Sequence, residues 1–415
     1  MLASLKAARR LGIDMSPKMI EVAKRKFTGI EFKVGDLESL NVAEKYDYVL
    51  LANIIGHVDD IQKAMGQLHK VCRPDTRIII VYFNYLWEPI LKAAEVVSLR
   101  MRYPVQHWLP LEEIENILRL CDFETVKKDH RFLVPVGLPL LSWFCNRFLV
   151  KLPLLRKLAL NEVIVAKPIR TAIVPSEVSC SVIVPCRNER GNIEEAVRRM
   201  PKMGNHTEII FVEGHSKDGT LEECYRVQKE NPALDIKVFV QEGLGKGDAV
   251  RKGFDEASGE VLMILDADLT VPPEDLPKFF DALVSGKGEF IMGSRLVYQM
   301  EKQAMRTLNL MGNKFFSLMF TFLLEQRIRD TLCGTKVLWK KDYEKIAAGR
   351  HVFGDFDPFG DFDLIFGAAK LNLKIREIPI RYGERTYGTT QIDRFRHGLL
   401  LLRMVIFAAA RIKFI

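Results

Sequence analysis

The chain has 415 residues, of which 48% are hydrophobic and 27% charged, with a formal net charge of +8. That hydrophobic fraction sustains packed cores and excludes a disordered chain, and the length calls for two or three domains. Seven scattered cysteines with no Cys-x-x-Cys pair exclude a disulfide framework and a cysteine-held zinc site, and point to a reducing cytoplasm.

Strands and helices alternate from the start. ARRLGID reads as a strand ending at Asp14, and Pro17 opens a helix over 17–27 with Ser16 as its N-cap. IEFKV is a second strand, followed by Asp36, and YDYVLLAN a third. A helix over 59–71, a turn at Pro74-Asp75 and the strand RIIIVYF come next. Residues 111–120 form a helix with Glu112 and Glu113 in its first turn, where carboxylates complement the helix dipole. NEVIVAKP closes the series as a strand. The alternation predicts an α/β sandwich around a mainly parallel sheet. Gly12 and Asp14 interrupt the N-terminal apolar residues, so no signal peptide is expected.

GIDMSPKMIEVAKRK, VGDLESL and YDYVLLANIIGHVDDIQKAMGQLHKVCRPDTRIIIV, in that order, resemble the class I S-adenosylmethionine-dependent methyltransferases over residues 11–167. The resemblance implies that Asp14 takes the ribose hydroxyls of S-adenosylmethionine and Asp36 contacts its adenine; the plainer alternative is a pair of ordinary strand-end aspartates. The family's first strand and glycine-rich loop should precede Asp14, where only MLASLKAARRL stands. Glycine is what lets backbone N–H groups approach a cofactor closely. Asp14 and Asp36 are therefore read as vestigial, S-adenosylmethionine is not expected as a cofactor, and the neighbours of that central strand are expected to be left unpaired. Either the natural start lies upstream, or the domain is a degenerate scaffold.

Residues 132–158 mix apolar side chains with Arg147, Lys151, Arg156 and Lys157 and are broken by Pro135, Pro139 and Pro153. A packed irregular excursion of the first domain is expected; a surface dipping into a membrane interface is the alternative. The expected boundaries are a methyltransferase-like domain over 1–168, a linker over 169–179 and a second domain over 180–415; residues 167–179 hold two prolines, Pro168 and Pro175, and no helical period.

The second part repeats a β–α pattern. CSVIVP is a buried strand ending in Pro185-Cys186-Arg187-Asn188-Glu189, with a helix over 192–200. EIIFVEGHSKDGT is a strand, a polar turn and a helix start; IKVFVQ is a strand, GLGKGD a glycine-rich loop, and 249–257 a helix. VLMIL then runs into Asp266-Ala267-Asp268 and a Pro-Pro turn. A strand alternates its side chains, so Asp266 and Asp268 would point the same way. Two such carboxylates repel unless a cation joins them, and oxygen ligands of this kind suit Mg²⁺ or Mn²⁺. The alternative is a turn with two solvated aspartates. Polar loops follow the carboxyl ends of the strands, where open α/β sheets bind ligands.

PxxNE, VEGHSKDGT, GKGxAVRxGF and DAD, in order, resemble the family 2 glycosyltransferases of GT-A fold, nearest to the polyprenol- and dolichol-phosphate sugar transferases, from residue 181 onward. The resemblance implies that Pro185, Asn188 and Glu189 line a nucleotide pocket, and that Glu213, where Asp is usual, accepts from the base. It further implies that Lys246 approaches the diphosphate, Asp266 contacts nucleotide or metal, Asp268 holds the metal, and Arg295 helps hold phosphate. RDTLCGTKVLWKKD resembles an acceptor-side loop in which Asp330 and Gly334 match and Cys333 and Thr335 depart. GDFDLIFG offers Asp361 or Asp363 as a base toward a hydroxyl acceptor, or equally as a cap of the helix over 364–371. RYGERTYGTT matches the subgroup's R-x-x-G-S-K element at Arg385 and Gly388, with Thr389 and Thr390 replacing Ser and Lys; Arg385 is counted with the catalytic set.

The expected function is a metal-dependent, inverting transfer of a sugar from a nucleotide-sugar donor to a polyprenyl phosphate or other lipid-linked acceptor. The alternatives are a bifunctional methyltransferase and glycosyltransferase, if the natural chain extends upstream, and a non-catalytic scaffold. Residues 315–324 and 399–410, the latter cut by Arg403, fall short of the ~20 apolar residues of a membrane span. With Arg396, Arg403 and Arg411 on one helical face, peripheral contact with a membrane surface is expected, on the cytoplasmic side of the cell membrane. Modest charge and no recognition motif argue against nucleic acid as a partner.

Overall fold

The computed structural model describes residues 2–102, 106–295, 307–350, 362–383, 385, 387 and 394–414, without the side chains of 307–311 and 394–397. The chain divides into two compact units, Met1–Ile169 and Arg170–Ile415.

In the first unit, β1 (Leu11–Asp14), α1 (Pro17–Lys26) and β2 (Glu31–Val34) form a parallel β–α–β element. The Ser16 hydroxyl caps α1 by accepting from the Met19 N–H, and Pro17 occupies a position that has no N–H to satisfy. There follow β3 (Tyr46–Ala52), α2 (Ile61–Gln67), β4 (Cys72–Phe83), α3 (Glu88–Val96), α4 (Leu111–Leu120), β5 (Phe123–Arg131), α5 (Leu141–Arg147) and β6 (Asn161–Pro168). The last four strands form a separate sheet in the order β3-β4-β6-β5. Its pairing is mixed: β3 and β4 are parallel, whereas β6 is antiparallel to both β4 and β5. The alternation of elements had suggested a mainly parallel sheet. It missed β5 because FETVKKDHR has only Phe123 and Val126 as apolar members, and pairing with β6 supplies what periodicity does not. The turn at Pro74-Asp75 survives as an irregularity in β4, where the register to β3 shifts between Tyr46 and Tyr48. β1 and β3 each keep one edge without a strand partner among the described residues. Ile78, Ile80 and Tyr82 of β4 bury one face of the sheet against Met65 of α2 and Leu118 of α4.

Residues 132–160, joining β5 to β6, correct the expectation of a packed excursion. Cys145, Val150 and Ala159 are buried, but Leu140, Leu141, Trp143, Phe144 and Leu154 are exposed.

The second unit contains β7 (Ser179–Cys186), α6 (Arg190–Arg198), β8 (His206–Glu213), α7 (Thr220–Glu230), β9 (Asp235–Val240), α8 (Lys246–Glu256), β10 (Val261–Ile264) and α9 (Leu276–Val284). It continues with β11 (Phe290–Ser294), α10 (Thr307–Leu324), β12 (Lys336–Trp339), α11 (Lys340–Ala348), α12 (Phe362–Lys370), β13 (Ile375–Pro379) and α13 (Arg394–Ala408). One seven-stranded sheet runs β13-β11-β12-β10-β7-β8-β9. β12 is antiparallel to β10 and β11, and the other neighbours pair in parallel. Alternation along the strands builds two cores. Ile183, Ile264 and Leu338 face α8 and α10 to α13, while Val182, Met263 and Val337 face α6, α7 and α9. The α/β, two-unit fold class expected from sequence is borne out. Residues 170–178 lie along the second unit: the Ile173 N–H donates to Val284 O at 2.9 Å, and Val178 is buried. Gly204 closes that region at φ +67°, where a Cβ would sit 1.9 Å from Val178 O.

No helix among the described residues is long and apolar enough to cross a membrane. α10 buries Phe320, Leu323 and Leu324 and exposes Phe315 and Leu318; α13 buries Leu401, Met404 and Ala408 and exposes Leu399 and Ile406. α13 passes into a π-helical turn, Ala409–Lys413, which shifts Arg411 out of the α-helical phase that placed it with Arg403. The Arg396 side chain lies outside the described residues.

Candidate active site

β10 ends at Ile264, so Asp266 and Asp268 lie beyond the strand, and strand alternation does not align them. Ala267 between them is buried in the core, and both carboxylates are half-buried. The Asp268 carboxylate is fully engaged. Its Oδ1 accepts from the Thr270 N–H (3.2 Å) and hydroxyl (2.8 Å), and its Oδ2 accepts from Arg385 Nη2 at 2.7 Å. Arg385 spans two carboxylates, because its Nη1 donates to Glu189 Oε1 at 2.7 Å. Glu189 Oε2 accepts from Asn192 Nδ2 at 2.8 Å, and the Glu189 N–H donates to the Thr220 hydroxyl. Burial pushes the Glu189 carboxyl up, and Arg385 offsets this only in part.

Asp266 pairs with Lys246 Nζ at 2.6 Å. Burial raises its carboxyl, but Lys246 outweighs burial, with help from Lys336 and Arg295, and the net direction is down. Lys246 is the first residue of α8, preceded by Gly245 at φ +89°, and the glycine loop before it closes where the Gly243 N–H donates to Asp248 Oδ2 at 2.8 Å. Gly334 lies directly against the pair: a Cβ there would fall 2.0 Å from Asp266 Oδ2 and 2.5 Å from Lys246 Nζ. We expect Gly334→Ala to separate Asp266 from Lys246. The cost in stability should be ~1–3 kcal/mol, measured by thermal unfolding, and any turnover supported by this pair should fall about tenfold or more.

Asn188, at φ +54°, joins two loops: its N–H donates to the Ser216 hydroxyl at 2.8 Å, and its Oδ1 accepts from the Lys217 N–H at 2.9 Å. Pro185 lies in β7 opposite Val212. Three residues stand apart from the roles expected of them. Glu213 is buried and closes its own turn, with Oε2 accepting from the His215 N–H and Oε1 from the Ser216 N–H. Arg295 does not present its guanidinium to a ligand. It forks onto Asp330, Nε to Oδ2 at 2.7 Å and Nη2 to Oδ1 at 2.8 Å, with Asn313 Nδ2 on the same Oδ1 at 3.0 Å. Asp363 is buried, pairs with Arg350 at 3.1 Å and Arg251 at 3.5 Å, and is pushed up by burial. Asp361, Gly388, Thr389 and Thr390 lie outside the described residues. In the first unit, Asp14 Oδ1 accepts from the Ser16 N–H at 2.8 Å and Asp36 Oδ1 from the Glu38 N–H at 3.0 Å, so both serve as turn caps.

Sequence reasoning missed Thr270, Asn192, Asp248 and Lys336. The Asp-x-Thr spacing at 268–270 was legible as a side-chain turn. Lys336 was not: it is fully buried in β12, its Nζ donating to Cys333 O, and a lysine within an apolar strand carries no sign of what it faces.

Residues 181–346 match the family model "Glycosyl transferase family 2", and residues 2–131 match "Methyltransferase domain". The dolichol-phosphate mannosyltransferase of Pyrococcus furiosus is 40% identical over 119 residues, 28% of this chain and 33% of that protein. The one from Saccharomyces cerevisiae is 42% identical over 108 residues, 25% of this chain and 40% of that protein. The chain thus spans between a third and two-fifths of the length of these two. The dolichol-phosphate mannosyltransferase of Mycosarcoma maydis is 29% identical over 228 residues, 52% of this chain and 74% of that protein. The chain carries a methyltransferase domain over residues 2–131, followed by a family 2 glycosyltransferase domain over residues 181–346.

Proposed function

We propose that the second unit transfers a sugar from a nucleotide-sugar donor to a polyprenyl phosphate or another lipid-linked acceptor, with inversion and with a divalent metal. The observation that carries this reading is the convergence of Glu189, Lys246, Asp266, Asp268 and Arg385, from four separated segments, beyond the carboxyl ends of β7 and β10. The dolichol-phosphate mannosyltransferases among the relatives support a lipid-phosphate acceptor.

Asp266 and Asp268 offer the hard oxygen donors that suit Mg²⁺ or Mn²⁺, and a metal held there would share them with Lys246 and Arg385, their present partners. Bound there, the metal supplies charge neutralisation for the departing nucleoside diphosphate. Lys246 and Arg385 are the chain's own cations for the same anion. Lys246 stands at the amino end of α8, where free N–H groups and the helix dipole also favour phosphate. A lipid phosphate arrives already anionic and needs no general base. That fits an Asp363 closed off by Arg251 and Arg350. The exposed Phe315, Leu318, Leu399 and Ile406, with Arg403, suit peripheral contact with the cytoplasmic face of the membrane that holds the acceptor.

The test is a panel of nucleotide sugars with Mn²⁺ and polyprenyl phosphate, reading label in the lipid phase. One donor should give product, and a chelator should abolish it. Nucleotide binding without product from any donor would favour the scaffold reading instead.

A further inference from the structure

The excursion between β5 and β6 in the first unit is built inside out. Several polar groups in and beneath it point inward and are satisfied. Lys151 is 2% exposed and donates to Asp129 Oδ1 at 2.8 Å. The Asn84 amide donates to Lys157 O and Ala159 O at 2.8 and 2.9 Å, and Trp87 Nε1 donates to Leu158 O at 2.9 Å. The Asn146 side chain pairs both ways with the Val134 backbone, and the Leu160 N–H closes the base of the excursion on Phe132 O. A loop held this firmly has a fixed surface, and that surface is apolar: Leu140 is 81% exposed, Leu154 82% and Trp143 57%, with Leu141, Phe144 and Leu158 also exposed.

Monomeric soluble proteins rarely leave large apolar patches bare, and these six large apolar side chains stand exposed within residues 140–158. The charges around it are of one sign. With Lys151 buried on Asp129, the outward charges are Arg147, Arg156 and Lys157, and no Asp or Glu lies between Asp129 and Glu162. Arg147 lies over the Trp143 ring at 6.0 Å, a cation beside an amphipathic ring. Leucines with a tryptophan, rimmed by arginine and lysine and lacking acidic groups, match the boundary of an anionic bilayer, where apolar side chains enter the acyl region and cations meet phosphate. α5 has seven residues, and Pro135, Pro139 and Pro153 break the rest, so the segment lies in the interface and does not cross it.

We infer that residues 136–158 of the first unit dock into the surface of a membrane carrying anionic phospholipid. The inference stands apart from sugar transfer, because the surface belongs to the other unit and the test lipids contain no acceptor. The experiment is flotation of the full chain with vesicles of phosphatidylglycerol and phosphatidylcholine in equal parts. The comparison is a Leu140→Ser, Leu154→Ser double variant, whose changes fall on exposed positions. The wild-type chain should float and the variant's bound fraction should fall about tenfold. Trp143 emission, taken as the difference from Trp143→Phe, should be quenched by brominated lipid. Equal flotation of the double variant, or an unquenched Trp143, would overturn the inference; so would a wild-type dimer in solution that the double variant converts to monomer without loss of lipid binding.

Discussion

Asp268→Asn should abolish sugar transfer while leaving the fold intact. The substitution is isosteric. Its Oδ1 can still accept from the Thr270 N–H and hydroxyl, which hold the turn beyond β10, so structural loss should stay near or below ~1 kcal/mol. What disappears is the negative charge that balances Arg385 and, in the proposed mechanism, the metal. Turnover should fall by about 10³-fold or more, roughly 4 kcal/mol of transition-state stabilisation. Arg385 would then be left to Glu189 alone, so affinity for the free nucleoside diphosphate should change far less than turnover. The check is initial rate with lipid product as readout, beside near-UV circular dichroism. Wild-type-like turnover would refute the assignment.

Asp330→Asn should be the most destabilising single change in the second unit. Asp330 is fully buried, and its carboxylate takes the Arg295 backbone N–H, the Arg295 guanidinium and the Asn313 amide. Removing the charge leaves a buried guanidinium uncompensated, at a cost of about 3–5 kcal/mol. Replacing both partners, Asp330→Leu with Arg295→Met, should cost less than the single change, because no buried charge remains. Denaturant titration of the three variants tests this. The pair also sets an acid limit. Burial would raise the Asp330 carboxyl, but the Arg295 fork overrides it and holds it at about 2, against an ordinary 3.8. A depressed carboxyl contributes stability above its ordinary value and loses it as pH falls toward the folded one. Roughly 2 kcal/mol should therefore vanish between about pH 4 and 2, and Asp330→Asn should lack that loss.

Much of this site was legible because its motifs sit where a β–α unit puts them, in the loop after each strand. Glu189, Lys246, Asp266 and Asp268 all fall there or at the start of the helix that follows. The pairings were not legible. Arg385 reaches Asp268 across 117 residues and Arg295 reaches Asp330 across 35, and no local pattern encodes which carboxylate a given arginine meets. Glu213 shows the same limit over a short range. The resemblance implied that its carboxylate accepts from a nucleotide base, and the side chain instead folds back on its own turn. In the first unit, composition suggested a loop that hides its leucines. The buried Lys151 and Asn84 invert that pattern, which only tertiary contacts reveal.

The break between the β1–β2 pair and the four-stranded sheet has a thermodynamic consequence. A two-stranded ladder is marginal by itself, and this one has four residues on each side. What ties it to the rest of the unit is side-chain contact: the exposed Arg9–Glu44 ion pair and Leu11 packed on Leu40, Val42 and Val71. Residues 11–34 should thus open as a separate unit, with their amides exchanging through local excursions that leave the β4 ladder intact. The first unit is therefore expected to melt in steps, which amide exchange followed residue by residue on heating would show.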